Sequence, residues 1–170
     1  GYDSGGQAPR DIGIAVSSTN PDEVHIAGIL TWKSSDGGTS FSCTSDWVPD
    51  YASSANIGYC HADVDDLHFV GNTLYVVSDG GIFICENTGT VNANYYTDIT
   101  TGMGIRQFYL LGISQTDPVV ITAGAQDNGT SALQANGQWV DWLGADGFES
   151  LVDVNNSNVL YGTIYYGDMY

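Results

Sequence analysis

Residues 67–84 read LHFVGNTLYVVSDGGIFI, a pattern of three short strands separated by two tight turns. Aromatic and β-branched residues favour strands, whereas Gly, Asn and Asp favour the turns between them. The same order of apolar run, turn and apolar run occurs three more times in the chain. The paired runs lie at 12–16 and 24–27, at 108–113 and 119–122, and at 151–154 and 159–161.

The first three repeats continue with a third strand, a second glycine-containing turn and a fourth strand. Four short antiparallel strands in a repeat of about 40–50 residues are typical of a β-propeller blade. A β-sandwich also contains many short strands, but it does not require one strand order to recur. The sequence therefore predicts an all-β fold, a β-propeller of four-stranded antiparallel blades. Third strands are expected at 31–33, 82–84 and 130–133, and fourth strands at 40–42, 95–97 and 138–142.

The repeats fill the chain with about three blades and the first two strands of a fourth. Propellers usually close with four to eight blades. We therefore expect a fragment of a larger propeller or a subunit completed by neighbouring chains, and exposed strand edges at 165–170 would favour such pairing. The expected bounds are about 11–48 for blade 1, 49–64 for a connecting loop, 65–104 for blade 2, 105–145 for blade 3 and 146–170 for the start of blade 4.

The charge of the chain is strongly acidic, with 20 Asp and Glu against three Lys and Arg and a net charge of −17. This balance argues against nucleic acid as a partner. No apolar run approaches the roughly 20 residues that span a bilayer, so no membrane insertion is expected.

The three cysteines form no C-x-x-C pair, which argues against a zinc site. Cys43 and Cys60 flank a Ser-rich loop and are candidates for a disulfide in an oxidising compartment. Cys85 is then expected to be an unpaired, buried strand residue.

Residues 34–41 read SSDGGTSF, and this segment resembles the Asp-box, or BNR repeat, S-x-D-x-G-x-T-W. The motif recurs in sialidases, sortilin-type domains and xyloglucanase-type glycosidases, where it forms a structural turn between the third and fourth strands of a blade. The resemblance therefore implies a structural role for its matching positions, which are Ser34, Asp36, Gly38 and Phe41.

Five further motifs follow one another at 61–63, 78–81, 107–109, 126–130 and 145–147. Their order resembles that in the secreted and surface propellers of Bacteroidetes-type bacteria, which are exported by the type IX route and described as sortilin-like or glycosyl-hydrolase-like. The resemblance implies an extracellular or cell-surface location. Those relatives read H-A-D-x-H where this chain has Asp65 in the last position, so any chemistry carried by that histidine is absent here.

The blade order also sorts the loops into two faces. In an up-and-down blade, the loop after the second strand and the loop before the first strand lie on the same face. We call it the first face, and we expect it to collect carboxylates and amides with one arginine. The expected residues are His61, Asp63, Asp65, Asp66, Asp79, Arg106, Gln107, Gln126, Asp127, Asn128, Asp146 and Glu149.

Three interpretations of the first face remain open. Carboxylates and amides suit sugar hydroxyls or calcium, with a calcium site expected at Asp63, Asp65 and Asp66. A glycoside hydrolase needs two carboxylates across the sugar, which Asp63 or Asp66 could form with Asp146 or Glu149. Alternatively, these side chains only cap turns. The ligand-binding candidates are His61, Asp79, Arg106, Gln107, Gln126, Asp127 and Asn128.

The small number of arginines argues against sialidase chemistry. Sialidases bind the substrate carboxylate through three arginines, and this chain has only Arg10 and Arg106. The main hypothesis is a secreted or cell-surface binding or adhesion module for carbohydrate or protein ligands. The alternatives are part of a xyloglucanase-like glycoside hydrolase and an assembly subunit.

Overall fold

The computed structural model describes residues 7, 9–117 and 119–170. The chain divides into two compact units, residues 1–103 (unit 1) and 104–170 (unit 2). Among the described residues, no helix is long and apolar enough to cross a membrane.

Unit 1 opens with a four-stranded antiparallel sheet, sheet 1, whose strands pair in chain order. Its central register aligns Ile14 with Ile26 and Ile26 with Trp32. The strands are β1 (Gly13–Val16), β2 (Val24–Ala27), β3 (Thr31–Ser34) and β4 (Ser42–Cys43).

The segment predicted as a connecting loop contains regular structure. β5 (Ser45–Asp46) pairs in parallel with β6 (Gly58–Tyr59), and helix α1 (Pro49–Ala55) lies between them. Proline at the start of α1 suits a position where the backbone N–H has no helical partner. Asn56 ends the helix in the left-handed conformation, with φ of 52°.

Sheet 2 completes unit 1 and is again antiparallel in chain order. A register shift between Val64 and Asp66 places a bulge at the start of its first strand. Its strands are β7 (Val64–Val70), β8 (Thr73–Ser78), β9 (Gly81–Cys85) and β10 (Thr97–Asp98).

The core of unit 1 lies between sheets 1 and 2. We call the face of a sheet that points toward the next sheet its trailing face, and the opposite face its leading face. Ala15, on the trailing face of sheet 1, belongs to one buried cluster with Leu67, Val76 and Phe83 of the leading face of sheet 2. A Cβ added at Gly13 would lie 3.0 Å from Leu67 Cγ, so the first strands of the two sheets approach closely.

Unit 2 repeats this arrangement with sheet 3 and a two-stranded hairpin, sheet 4. The trailing face of β11 packs on the leading face of β15, where a Cβ added at Gly112 would lie 2.5 Å from Ser150 O. Sheet 3 contains β11 (Leu110–Ile113), β12 (Ile121–Ala125), β13 (Gly129–Leu133) and β14 (Trp139–Leu143), and sheet 4 contains β15 (Ser150–Val152) and β16 (Leu160–Gly162).

The fold is thus all-β and built from four-stranded antiparallel blades of the propeller type, as the repeat predicted. The fourth strands of sheets 1 and 2 each begin two residues later than expected. Ser40 is held in the preceding turn by hydrogen bonds to Asp36, and Tyr95 and Tyr96 are buried in the core rather than paired in β10.

The prediction of a strand edge at 165–170 was wrong. Tyr165–Gly167 form a 3-10 turn, and the chain then folds back on β16. Tyr170 and Gly162 exchange two backbone hydrogen bonds of 2.9 and 3.0 Å, so the last residue pairs with the edge of sheet 4.

The predicted disulfide between Cys43 and Cys60 is not formed, because the structure holds all three cysteines as free thiols. Cys60 follows β6 into the core and is 1% exposed, whereas Cys43 Sγ donates to Ser45 O at 3.2 Å. Cys85 is an unpaired, buried strand residue, as expected.

Candidate functional site

A carboxylate pair lies on the first face of unit 1. Asp63 precedes β7 and Asp79 follows β8, and carboxylate oxygens of the two residues lie within 4.8 Å of each other. Asp63 adopts a left-handed φ of 58°, and the Asp79 N–H donates to its carbonyl at 3.3 Å. Gln7 Nε2 donates to Asp63 Oδ1 at 3.0 Å. The loops before β1, before β7 and after β8 therefore meet at one place.

Asp11 adds a buried carboxylate to this group. Its side chain is 1% exposed, and neither carboxylate oxygen has a hydrogen-bond partner. Burial raises the pKa of Asp11, and the negative charges of Asp65 and Asp79 raise it further, while Arg10 opposes them. The Arg10 guanidinium lies 3.5 Å from Asp11 Oδ1 and 3.7 Å from Asp79 Oδ1, so one cation is shared by two carboxylates.

His61 is held at the edge of the carboxylate group. Its Nδ1 lies 3.1 Å from Ala62 O, and its ring packs against Gly80, where an added Cβ would lie only 2.1 Å from His61 Cγ. The glycine after Asp79 therefore makes room for the imidazole.

The calcium ligands predicted from sequence do not converge. Among the described residues, Asp63, Asp65 and Asp66 form no three-carboxylate group. A bulge at the start of β7 lies between Val64 and Asp66. The negative charge of Asp65 raises the pKa of Asp11, whereas Asp66 is exposed and pairs with Val77.

The first face of unit 2 is built on the turn between β12 and β13. Asp127 occupies a left-handed φ of 56°, and its N–H donates to Asp146 Oδ1 at 2.8 Å. Asn128 Nδ2 donates to Gln126 O at 3.0 Å. Asp146 therefore caps a turn, which is the structural role left open by the sequence.

An aromatic platform stands beside this turn. The Tyr109 ring is 50% exposed and stacks on Phe148, with ring centres 5.4 Å apart and an interplanar angle of 7°. The Tyr109 hydroxyl donates to Gln126 Oε1, which fixes both the ring and the amide.

Three further candidates are Arg106, Gln107 and Glu149. Arg106 donates to Ser131 and, at 2.7 Å, to Asp141 Oδ1 on the leading face of sheet 3, so it clamps the sheet instead of lining the first face. Although burial raises the pKa of Asp141, the hydrogen bond from Ser131 and the Arg106 charge hold it below its ordinary value. Gln107 is exposed, and exposed Glu149 bonds Thr163 through its backbone.

The Ser34–Phe41 turn satisfies its own polar groups. Ser34 Oγ accepts from the Gly38 N–H at 2.9 Å, and Asp36 Oδ1 accepts from the Ser40 N–H at 2.9 Å. The hydrogen bonds from Ser40 and Ser34 lower the pKa of Asp36 to about 2. Phe41 is half-buried and lies near Gly38, where an added Cβ would be 3.8 Å from its ring.

Sequence reasoning missed Asp11, Arg10 and Tyr109. Asp11 and Tyr109 each lie one or two residues before a first strand, the position that defines the first face, so the repeat itself carried the signal. Arg10 entered the sequence reasoning only in the arginine count, and only the folded loop shows that it joins two carboxylates.

No protein-family model and no curated protein matches the chain. The chain is similar to solved β-propeller structures at low identity and spans about half the length of the two YCF48 structures. YCF48 bound to a D1 peptide is 15% identical with a TM-score of 0.38, over 92% of this chain and 47% of that chain. YCF48 from Cyanidioschyzon merolae is 10% identical with a TM-score of 0.40, over 95% and 54%. The GH74 xyloglucanase from Xanthomonas campestris is 12% identical with a TM-score of 0.33, over 94% and 23%. At these scores the fold rests on the strand order and packing of the sheets.

Proposed function

We propose that the chain is a carbohydrate-binding module of an extracellular or cell-surface protein, and that it binds sugar without cleaving it. The observation that carries the proposal is the half-exposed Tyr109 ring, which stands beside the Gln126 amide on the first face of unit 2.

The Tyr109 platform has the chemistry that a sugar ring requires. A pyranose presents an apolar C–H face to an aromatic ring, and its hydroxyls exchange hydrogen bonds with amides and carboxylates. Phe148 supports the Tyr109 ring from one side, so little side-chain entropy is lost on binding. Gln126 and Asp127 are exposed and follow the same strand end.

The carboxylate group of unit 1 offers hydrogen-bond acceptors to hydroxyls in the same way. Asp63 and Asp79 are only partly buried, Gln7 donates a hydrogen bond to Asp63, and Arg10 forms an ion pair with Asp79. A ligand rich in hydroxyl donors and free of negative charge suits this acidic surface.

Binding is measured by isothermal titration with oligosaccharides selected from a glycan array. Tyr109→Ala is expected to weaken binding at least about tenfold, because it removes the stacking surface. Tyr109→Phe keeps the ring and loses only the bond to Gln126, so it should weaken binding less. Tyr161→Ala removes another exposed tyrosine of unit 2 and is the matched control. Equal affinity of wild type and Tyr109→Ala would contradict the assignment.

The glycoside-hydrolase alternative is tested by reducing-end release from the same oligosaccharides. Turnover that is lost in Asp63→Asn or Asp146→Asn would favour it over a binding module. Asp146→Asn keeps an oxygen to accept the Asp127 N–H, so the turn is preserved in the variant. We expect no turnover by the wild type.

A further inference from the structure

A histidine is buried at the contact between sheets 1 and 2 of unit 1. His25 lies on the trailing face of sheet 1, between its register partners Ala15 and Lys33, and its side chain is 1% exposed. Its ring packs edge-on against Phe69 of β7, with ring centres 5.6 Å apart and an interplanar angle of 69°. The imidazole therefore belongs to the contact that holds the two sheets together, which we call the joint.

Two charged side chains accompany the imidazole. His25 Nε2 donates to Glu23 Oε1 at 3.0 Å, because a carboxylate can only accept. Lys33 Nζ lies 3.6 Å from the same oxygen and also donates to Thr88 O, in the loop after β9. Although burial raises the pKa of Glu23, hydrogen bonds from Thr88 and His25 hold it below its ordinary 4.5, so the carboxylate stays ionised near neutral pH. These contacts tie sheet 1 to the loop of sheet 2.

The second nitrogen of the ring is the one that a further proton would enter. His25 Nδ1 is buried, and none of the residues that the structure describes forms a hydrogen bond with it. A proton on Nδ1 would create a buried N–H without an acceptor and a second cation beside Lys33. The packed joint therefore accepts the neutral imidazole and disfavours the imidazolium.

We propose that His25 makes the joint a pH-sensitive switch: sheets 1 and 2 stay packed while the ring is neutral and separate locally when the ring takes up a second proton. The ring gains that proton where it reaches water, since a solvated imidazole titrates near pH 6.5. The inference is independent of the carbohydrate site, which lies in unit 2.

The groups around the ring set the direction of the effect. Burial lowers the pKa of His25 below its ordinary 6.5, Glu23 opposes this shift, and Lys33 adds to it. The charge of Glu23 also acts on Cys85 and Tyr95 of sheet 2, but burial raises the pKa of both, so they stay neutral. Because the open joint binds more protons than the packed one, opening is favoured as the pH falls below 6.5. The equilibrium constant for opening should rise about tenfold per pH unit until the pKa of the packed state is reached.

The joint is measured on the full chain by native-state hydrogen exchange between about pH 5 and about pH 7.5, with rates corrected for the intrinsic pH dependence of amide exchange. In the wild type, protection of β2 and β7 should fall about tenfold per pH unit below about pH 6.5. The amides of β12 and β13 in unit 2 should keep their protection over the same range.

Two variants assign the effect to one ring. His25→Gln keeps an N–H donor for Glu23 but cannot take up a proton, so protection of β2 and β7 should no longer depend on pH. His68→Gln removes an exposed histidine of β7 and is the matched control, which should behave as the wild type does.

An NMR titration of the wild type keeps the proposal testable if His25→Gln fails to fold, as judged by circular dichroism. The nitrogen shifts of His25 should show a proton on Nε2 at neutral pH, and the ring should titrate below its ordinary 6.5.

Three results would overturn the proposal. The first is a His25 ring that titrates at or above 6.5 in the folded protein. The second is a loss of β2 and β7 protection at acid pH that is the same in His25→Gln as in the wild type. The third is an equal loss of protection in β12 and β13, which would indicate acid unfolding of the whole chain instead of a local opening.

Discussion

Gly112→Ala tests the close approach of the first strands in unit 2. A Cβ at this position would lie 2.5 Å from Ser150 O and 2.7 Å from Leu151 Cα, whereas ordinary contacts begin at 3.4 Å. Both atoms belong to the backbone of β15, which cannot rotate away as a side chain can. One added methyl group should therefore force the two sheets of unit 2 apart.

The cost is worked out by comparison with two other glycines. Overpacking of a well-packed core costs roughly 1–3 kcal/mol and sometimes more, so Gly112→Ala should destabilise the protein by about 3 kcal/mol. Gly13→Ala is the equivalent change in unit 1, where the nearest atom is Leu67 Cγ at 3.0 Å. That side chain can shift, so about 1 kcal/mol or less is expected. Gly144→Ala meets no atom within 4 Å and should be neutral or stabilise by up to about 1 kcal/mol.

The three variants are compared by urea unfolding, followed by Trp fluorescence, and by native-state hydrogen exchange. Hydrogen exchange shows which unit has lost stability. Gly112→Ala should speed the exchange of the β11 and β15 amides and leave the β7 and β8 amides protected. If Gly112→Ala cost no more than Gly13→Ala, β11 and β15 would not approach each other as closely as described.

Three further outcomes are expected. The pKa of Asp36 is about 2, below its ordinary 3.8, so this carboxylate contributes stability above pH 3.8 that is lost as the pH falls through about 2; Asp36→Ala should remove that part of the acid-unfolding curve, measured by urea midpoints between pH 2 and 5. Tyr96→Phe removes hydroxyl bonds of 3.0 and 3.1 Å to Thr31 and Thr44, which should lower the free energy of unfolding by about 1 kcal/mol in urea titration, and an unchanged midpoint would count against the buried network. Burial strongly raises the pKa of Cys60, so a disulfide reagent should modify this thiol only after denaturation, as peptide mass mapping will show.

The strand order was predictable because each blade repeats one local pattern. Turn formers at Gly71-Asn72 and Asp79–Gly81 flank an apolar run, and such patterns depend on neighbouring residues alone. Helix α1 was missed because its sequence, PDYASSA, has no apolar stripe, and its start and end depend on Pro49 and Asn56. The segment at 165–170 was expected to expose a strand edge, but it begins with a 3-10 turn and its last residue pairs with β16.

The candidate site was less predictable because residues of the same type make different contacts in the folded chain. Asp127 and Asp146 are both aspartates of unit 2 loops, but their positions differ. Asp146 Oδ1 accepts a hydrogen bond from the Asp127 N–H, whereas Asp127 is exposed. Arg106 appeared to be the basic residue of the first face, but the register of Ser131 with Asp141 draws it onto the sheet. Asp11 could not be singled out from the sequence, because its role depends on burial. A desolvated carboxylate is stabilised by a nearby cation or takes up a proton. A loop position can therefore be read from a repeat, whereas the role of its side chain is decided by the hydrogen bonds and burial that only the folded chain supplies.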